Sequence, residues 1–260
     1  SKSLRFFMKG RMEMDGHIVL GGQYHKEVLY AFVERAVQHH QKELIVLEPS
    51  SMFLECASLY EEVKATYPCQ KDWYHAQNIC SITAYHAFVD AMRKESFPIR
   101  VKFGICADYF TQHEALLRQM KKAYTYDCFV GCIRFVDNIA YDWEQSKEML
   151  WDKYNAGFLY RRYYEMMYAL ITSKLFDGVS GFDNIHHMQV KPGYSLQHTY
   201  QKLAMLLALH HMYVEDAACE TVSVSGTGGC LSEAFREICL AKHITITPCS
   251  YAKTPEDMCF

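Results

Sequence analysis

Short runs rich in apolar residues alternate along this chain with longer stretches in which apolar residues recur every three or four positions. Residues 44–47, 99–105, 129–133, 222–225 and 244–247 form the short runs. Such runs suit strands buried on both faces of a parallel sheet. The longer stretches carry helical stripes. Leu29, Phe32, Val33, Ala36 and Val37 form one, and Leu116, Leu117 and Met120 begin another. Tyr200, Leu203, Ala204, Leu207 and Ala208 make a third, and Leu231, Phe235, Ile238 and Cys239 a fourth. No Pro/Gly/Ser-rich linker, low-complexity tract or short repeat interrupts the alternation. Strand and helix alternating over 260 undivided residues predict one α/β domain, residues 1–260, as a closed barrel or a doubly wound sheet.

In barrels the chemistry gathers at the carboxyl ends of the strands. After 244–247 come Pro248-Cys249-Ser250-Tyr251-Ala252-Lys253 and then Thr254-Pro255-Glu256-Asp257. Lys9-Gly10-Arg11 follow the short apolar run Phe6-Phe7-Met8, and Leu47-Glu48-Pro49 end the second run. Gly104-Ile105-Cys106-Ala107-Asp108 end the third, and residues 127–135 carry Asp127, Gly131, Cys132, Arg134 and Phe135. Ser180-Gly181-Phe182-Asp183 come later. In order and spacing these stretches resemble the histidinol-phosphatase branch of the PHP phosphoesterases, over nearly the whole chain. The counterparts in that family are His-x-His, Thr-Asp-His, Gly-x-Glu-x-Asp, Asp-x-x-x-Gly-Ser-x-His-Phe, Gly-His-x-Asp and Gly-Ser-Asp-Ala-His followed by Pro-Glu-Asp. The resemblance implies a distorted (β/α)7 barrel of the TIM type. It further implies a phosphate-monoester substrate, three divalent ions such as zinc, iron or manganese, and a metal-bound hydroxide as nucleophile.

The residues at the ligand positions contradict that chemistry. A divalent centre needs neutral imidazoles and carboxylates. This chain instead offers Lys9, Arg11, Pro49, Arg134, Gly181, Tyr251 and Lys253. Charged Lys and Arg cannot ligate a cation, and Pro and Gly have no side-chain donor. Cys106 alone does not make a metal site. Asp15, Glu48, Asp108 and Asp183 remain near the expected mouth, too few for the family's cluster. No metal or other cofactor is therefore expected. Lys9, Arg11, Arg134 and Lys253 would supply about four fixed positive charges, against roughly three net charges from a three-ion carboxylate cluster. The expectation is a pseudoenzyme that binds a small anionic ligand, bearing phosphate or carboxylate, or a protein partner. The site residues would be Lys9, Arg11, Glu48, Cys106, Asp108, Arg134, Asp183, Tyr251 and Lys253. Drift after lost activity is the plainer alternative. An active phosphoesterase with other ligands and a structural or regulatory subunit without a pocket are two more.

Composition adds boundaries. A net charge of −3 gives no field for nucleic acid. No apolar run reaches the roughly 20 residues that span a bilayer, and the first nine residues lack a signal-peptide layout. The chain reads as soluble and cytoplasmic, free or as a homo-oligomer, and its eleven cysteines as reduced, buried thiols. Ser225-Gly226-Thr227-Gly228-Gly229 has the strand–loop–helix layout that can cradle phosphate, but it lacks P-loop and dinucleotide spacing. It reads as a loop at the rim. The pairs His39-His40, His186-His187 and His210-His211 cannot each aim two donors at one ion on a helix, where neighbours point about 100° apart.

Overall fold

A computed structural model describes residues 13–218 and 230–260. Seven parallel strands form one sheet in chain order: β1 Met14–Ile18, β2 Glu43–Pro49, β3 Arg100–Asp108, β4 Cys128–Cys132, β5 Gly178–Val179, β6 Tyr213–Ala217 and β7 Ile246–Cys249. The sheet curls until its two edges meet. Ile18 bridges Ala252 in parallel, the Val19 N–H donates to the Ala252 carbonyl at 2.9 Å, and the Tyr251 N–H donates to the His17 carbonyl at 2.9 Å. This is a nearly closed (β/α)7 barrel, as the alternation of runs and the motif order led us to expect.

The pleat sends alternate side chains to opposite faces. Ile45, Leu47, Cys106, Cys128, Val130 and Cys132 fill the barrel's interior. Leu44, Val46, Phe103, Ile105 and Phe129 point outward into a larger core beneath the helices. The helical stripes supply the other half of that core. In Lys26–Gln38 they bury Leu29, Phe32, Val33 and Ala36, while Val37 stays exposed. The helices Glu114–Ala123, Gln197–Leu209 and Glu233–Ala241 match the remaining stripes. Gly104 sits where β3 and β4 approach most closely, since a Cβ there would lie 1.9 Å from the Cys128 carbonyl oxygen. Among the described residues no helix is long and apolar enough to cross a membrane.

Three strand expectations hold within a few residues, β2, β3 and β4, and β7 begins two residues late. The run 222–225 lies outside the described residues, as does the 225–229 glycine loop. β1 is a correction. Lys9 and Arg11 lie outside the described residues, and the strand that pairs with β2 and closes onto β7 follows them. Its mouth end carries His17. The cysteine expectation is also corrected in part. Cys56, Cys69, Cys80, Cys106, Cys128, Cys132, Cys239 and Cys249 form no disulfide, but Cys259 is disulfide-bonded.

Candidate functional site

At the carboxyl ends of the strands the inward positions turn polar. His17 and Asp15 leave the same face of β1, and both are fully buried. The His17 Nδ1 lies 2.9 Å from Glu215 Oε2, on the inner face of β6. Burial alone would depress the imidazole, but the Glu215 carboxylate overrides it and raises His17 to about 9. A buried imidazolium–carboxylate pair results. Asp15 accepts hydrogen bonds from the Ser250 N–H at 2.9 Å and from the Ser250 hydroxyl. Its burial pushes the carboxyl up to about 6. The Tyr251 ring packs against His17 at a tilt of 55° with centroids 4.8 Å apart, and its backbone is left-handed with φ 56°. That conformation is costly for a residue with a bulky side chain. The Tyr251 hydroxyl and Ser180 Oγ are buried, and Ser180 and Glu215 lie near that hydroxyl, although among the described residues neither oxygen meets a partner with full hydrogen-bond geometry.

Across the mouth, Asp108 ends β3 and Arg134 follows β4. Arg134 Nε donates to Asp108 Oδ1 at 3.0 Å, with both side chains almost completely buried. Asp108 also accepts from Tyr60 Oη at 2.7 Å and from the Cys132 thiol at 3.1 Å. Contact with Cys106, burial and the Asp108 carboxylate together keep Cys132 a thiol. Cys106 itself lies on the inner face of β3 and is 1 % exposed. The guanidinium stacks over Trp73, its carbon 5.8 Å from the ring centre. Among the described residues Nε is the only Arg134 nitrogen with a hydrogen bond, and neither Nη has one.

A short hairpin follows Arg134. Phe135–Val136 pairs antiparallel with Ile139–Ala140 around Asp137 and Asn138, both with positive φ, as a type I′ turn requires. Arg134 and Asp142 lie just beyond the open end of this ribbon, where Phe135 pairs with Ala140. Asp142 is buried, and among the described residues its Oδ1 has no hydrogen-bond partner. Burial raises its carboxyl, with the Arg134 and His187 charges opposing.

The expected site residues thus divide. Cys106, Asp108, Arg134 and Tyr251 share the mouth. Glu48 points away from it and accepts from the Leu20, Gly21 and Gly22 N–H groups at 2.6, 3.2 and 3.2 Å. It braces the loop after β1. Asp183 accepts from Tyr164 Oη, Tyr200 Oη and the Ser232 N–H, so it ties helices together. Lys253 is exposed, whereas Arg134 is buried. Lys9 and Arg11 lie outside the described residues. Sequence reasoning missed His17, Glu215, Asp142 and Ser180 as site residues. The Asp-Gly-His-Ile stretch was the available signal, since polar residues two apart beside apolar ones fit a strand whose inner face is polar.

The three-ion centre that the resemblance implies does not fit these donors. The His17 Nδ1 is taken by Glu215, and one carboxylate oxygen of Asp108 is shared by Arg134 and Cys132. Among the described residues no three His, Cys, Asp or Glu side chains are grouped so as to hold a metal ion.

No protein-family model matches the chain, and no curated protein matches its sequence. Solved structures do match its shape. A protein of Listeria monocytogenes assigned as the histidinol phosphatase HisK superposes with a TM-score of 0.71 at 13 % identity, over 94 % of this chain and 97 % of that one. A histidinol phosphate phosphatase of Lactococcus lactis, complexed with zinc, L-histidinol and phosphate, gives 0.64 at 9 % identity, over 94 % and 87 %. The seven-stranded barrel, closed between His17 and Tyr251, therefore has the fold of the PHP-type histidinol phosphatases, with little sequence identity to the two structures it matches.

Proposed function

We propose that this chain is a metal-free pseudoenzyme of the histidinol-phosphatase fold that binds a small molecule through an anionic group at Arg134. One observation carries the reading. Arg134 stands at a position where the resemblance implies a metal ligand, is buried in the mouth, and has two Nη groups without a hydrogen bond among the described residues. A guanidinium so placed offers paired donors to a carboxylate or a phosphate. The Lactococcus neighbour was solved in complex with phosphate, which supports an anionic ligand for a protein of this fold. Its zinc does not carry over, because Arg134 supplies to Asp108 the positive charge that an ion would bring.

The purified chain is expected to hold no stoichiometric zinc, iron or manganese by elemental analysis, and to hydrolyse histidinol phosphate only at background. Arg134→Ala should weaken binding of inorganic phosphate or propionate by about 1–3 kcal/mol, the usual worth of a charge-assisted hydrogen bond. Two or more ions per chain retained through mild chelation, or turnover on the order of 1 s⁻¹, would overturn the reading.

A further inference from the structure

We infer that Cys56 and Met120 form a binding site for a soft monovalent metal ion, copper(I) by its chemistry, among the helices outside the barrel. The two sulfurs come from different elements, Cys56 from the 3₁₀ helix Leu54–Tyr60 and Met120 from the helix Glu114–Ala123. Their Sγ and Sδ atoms are 3.3 Å apart. Both residues line a cleft of about 220 Å³, whose walls also include Leu59, Ile82 and Leu116. A thiol against a thioether is by itself ordinary packing, as Cys69 and Met149 show at 3.5 Å. That second pair does not line the cleft. At Cys56 and Met120 the paired sulfurs adjoin open space, and a water molecule's share of liquid volume is only about 30 Å³. An ion and a further small ligand have room there.

Donor type and charge decide the ion. Thiolate and thioether are soft donors, which select copper(I) over harder ions. Metal–sulfur bonds run near about 2.3 Å, so two sulfurs on one ion stand up to about 4.6 Å apart. The observed 3.3 Å lies within that reach. Burial pushes the Cys56 thiol up to about 12, so an incoming ion must displace its proton. Cys–SH and Cu⁺ then give Cys–S–Cu and H⁺, with Met120 adding a lone pair and no electron changing hands. The product is neutral, as a mostly apolar cleft requires. A divalent ion would leave one positive charge there. Glu55 at the rim is already engaged, since its carboxylate accepts from the Ser81 hydroxyl at 2.8 Å and the Ile82 N–H at 2.9 Å. The site is separate from the mouth and stands or falls apart from the anion reading.

The test uses the whole chain, grown with selenomethionine so that each Met carries a distinct X-ray scatterer. One equivalent of copper(I) is added without oxygen, and absorption at the copper edge is read for a selenium neighbour. The wild type should show one, beside sulfur. Met120→Leu, a volume-conserving change, should remove it. The same change should weaken binding at least about tenfold against a chromophoric copper(I) chelator, since the loss of even an outer-shell partner costs that much. Cys56→Ser should do likewise, and Met149→Leu should change neither reading. Copper bound without a selenium neighbour in the wild type, which needs no variant to fold, overturns the inference, because the ion then sits at other thiols. So does a selenium neighbour that survives Met120→Leu or vanishes with Met149→Leu.

Discussion

A histidine enclosed in a barrel is driven toward its neutral form unless a carboxylate meets it. His17 meets Glu215 at 2.9 Å and is raised to about 9 from an ordinary 6.5. A folded-state pKa above the unfolded one stabilises the fold fully below pH 6.5, and the benefit is lost as pH climbs through 9. That span corresponds to about 3 kcal/mol for this fully buried pair. Chemical denaturation of the wild type should therefore show stability declining between pH 6.5 and 9, with the decline flattened in His17→Gln. A wild-type profile without that decline would refute the pairing as a source of stability. Neither partner was legible as a site residue, because each is one polar residue in a strand too short and too mixed to stand out. Arg134 was legible because it interrupts a recognisable motif, and Asp108 because it keeps a motif position. Glu48 and Asp183 were legible by the same route, yet they serve the scaffold, since a motif position fixes a place along the chain and not the direction of a side chain.

Among the elements, strands with apolar inner faces announced themselves and strands with polar inner faces did not. β2, β3 and β4 place Ile45, Leu47, Cys106 and Val130 inside, so their sequences read as continuous apolar runs. β1 and β6 place Asp15, His17 and Glu215 inside, which breaks the run. β5 has two residues, too few for any periodicity. Between β5 and the helices Ala156–Thr172, Gln197–Leu209 and Glu233–Ala241, Asp183 acts as the shared fastening. One oxygen accepts from Tyr164 at 2.8 Å and Tyr200 at 3.0 Å, and the other from the Ser232 N–H at 2.8 Å. Asp183→Ala would leave two buried tyrosine hydroxyls and a helix-capping N–H without that acceptor. A loss of about 3 kcal/mol is expected by urea denaturation, with binding at Arg134 affected only through that stability. A change under about 0.5 kcal/mol would show that Asp183 does not fasten these helices.

For the molecule as a whole, the seam between β1 and β7 sets an order of events. Asp15 and Ser250 meet across 235 positions of sequence, so their contact can form only after the intervening chain has been gathered in. Contacts of such separation carry the heaviest loop-closure entropy and are favoured late in folding. The five strands between them have mostly local partners, each pairing with the next in sequence. Ser250→Ala should therefore leave refolding nearly unchanged and speed unfolding, since an interaction absent from the transition state shows itself only on the way out. Stopped-flow chevrons would show the unfolding limb raised and the folding limb in place, whereas a lowered folding limb would put closure in the nucleus instead. On this view the ring is completed last and opens first. The lifetime of the native protein is then set by a zipper a few residues long, beside the pocket it encloses.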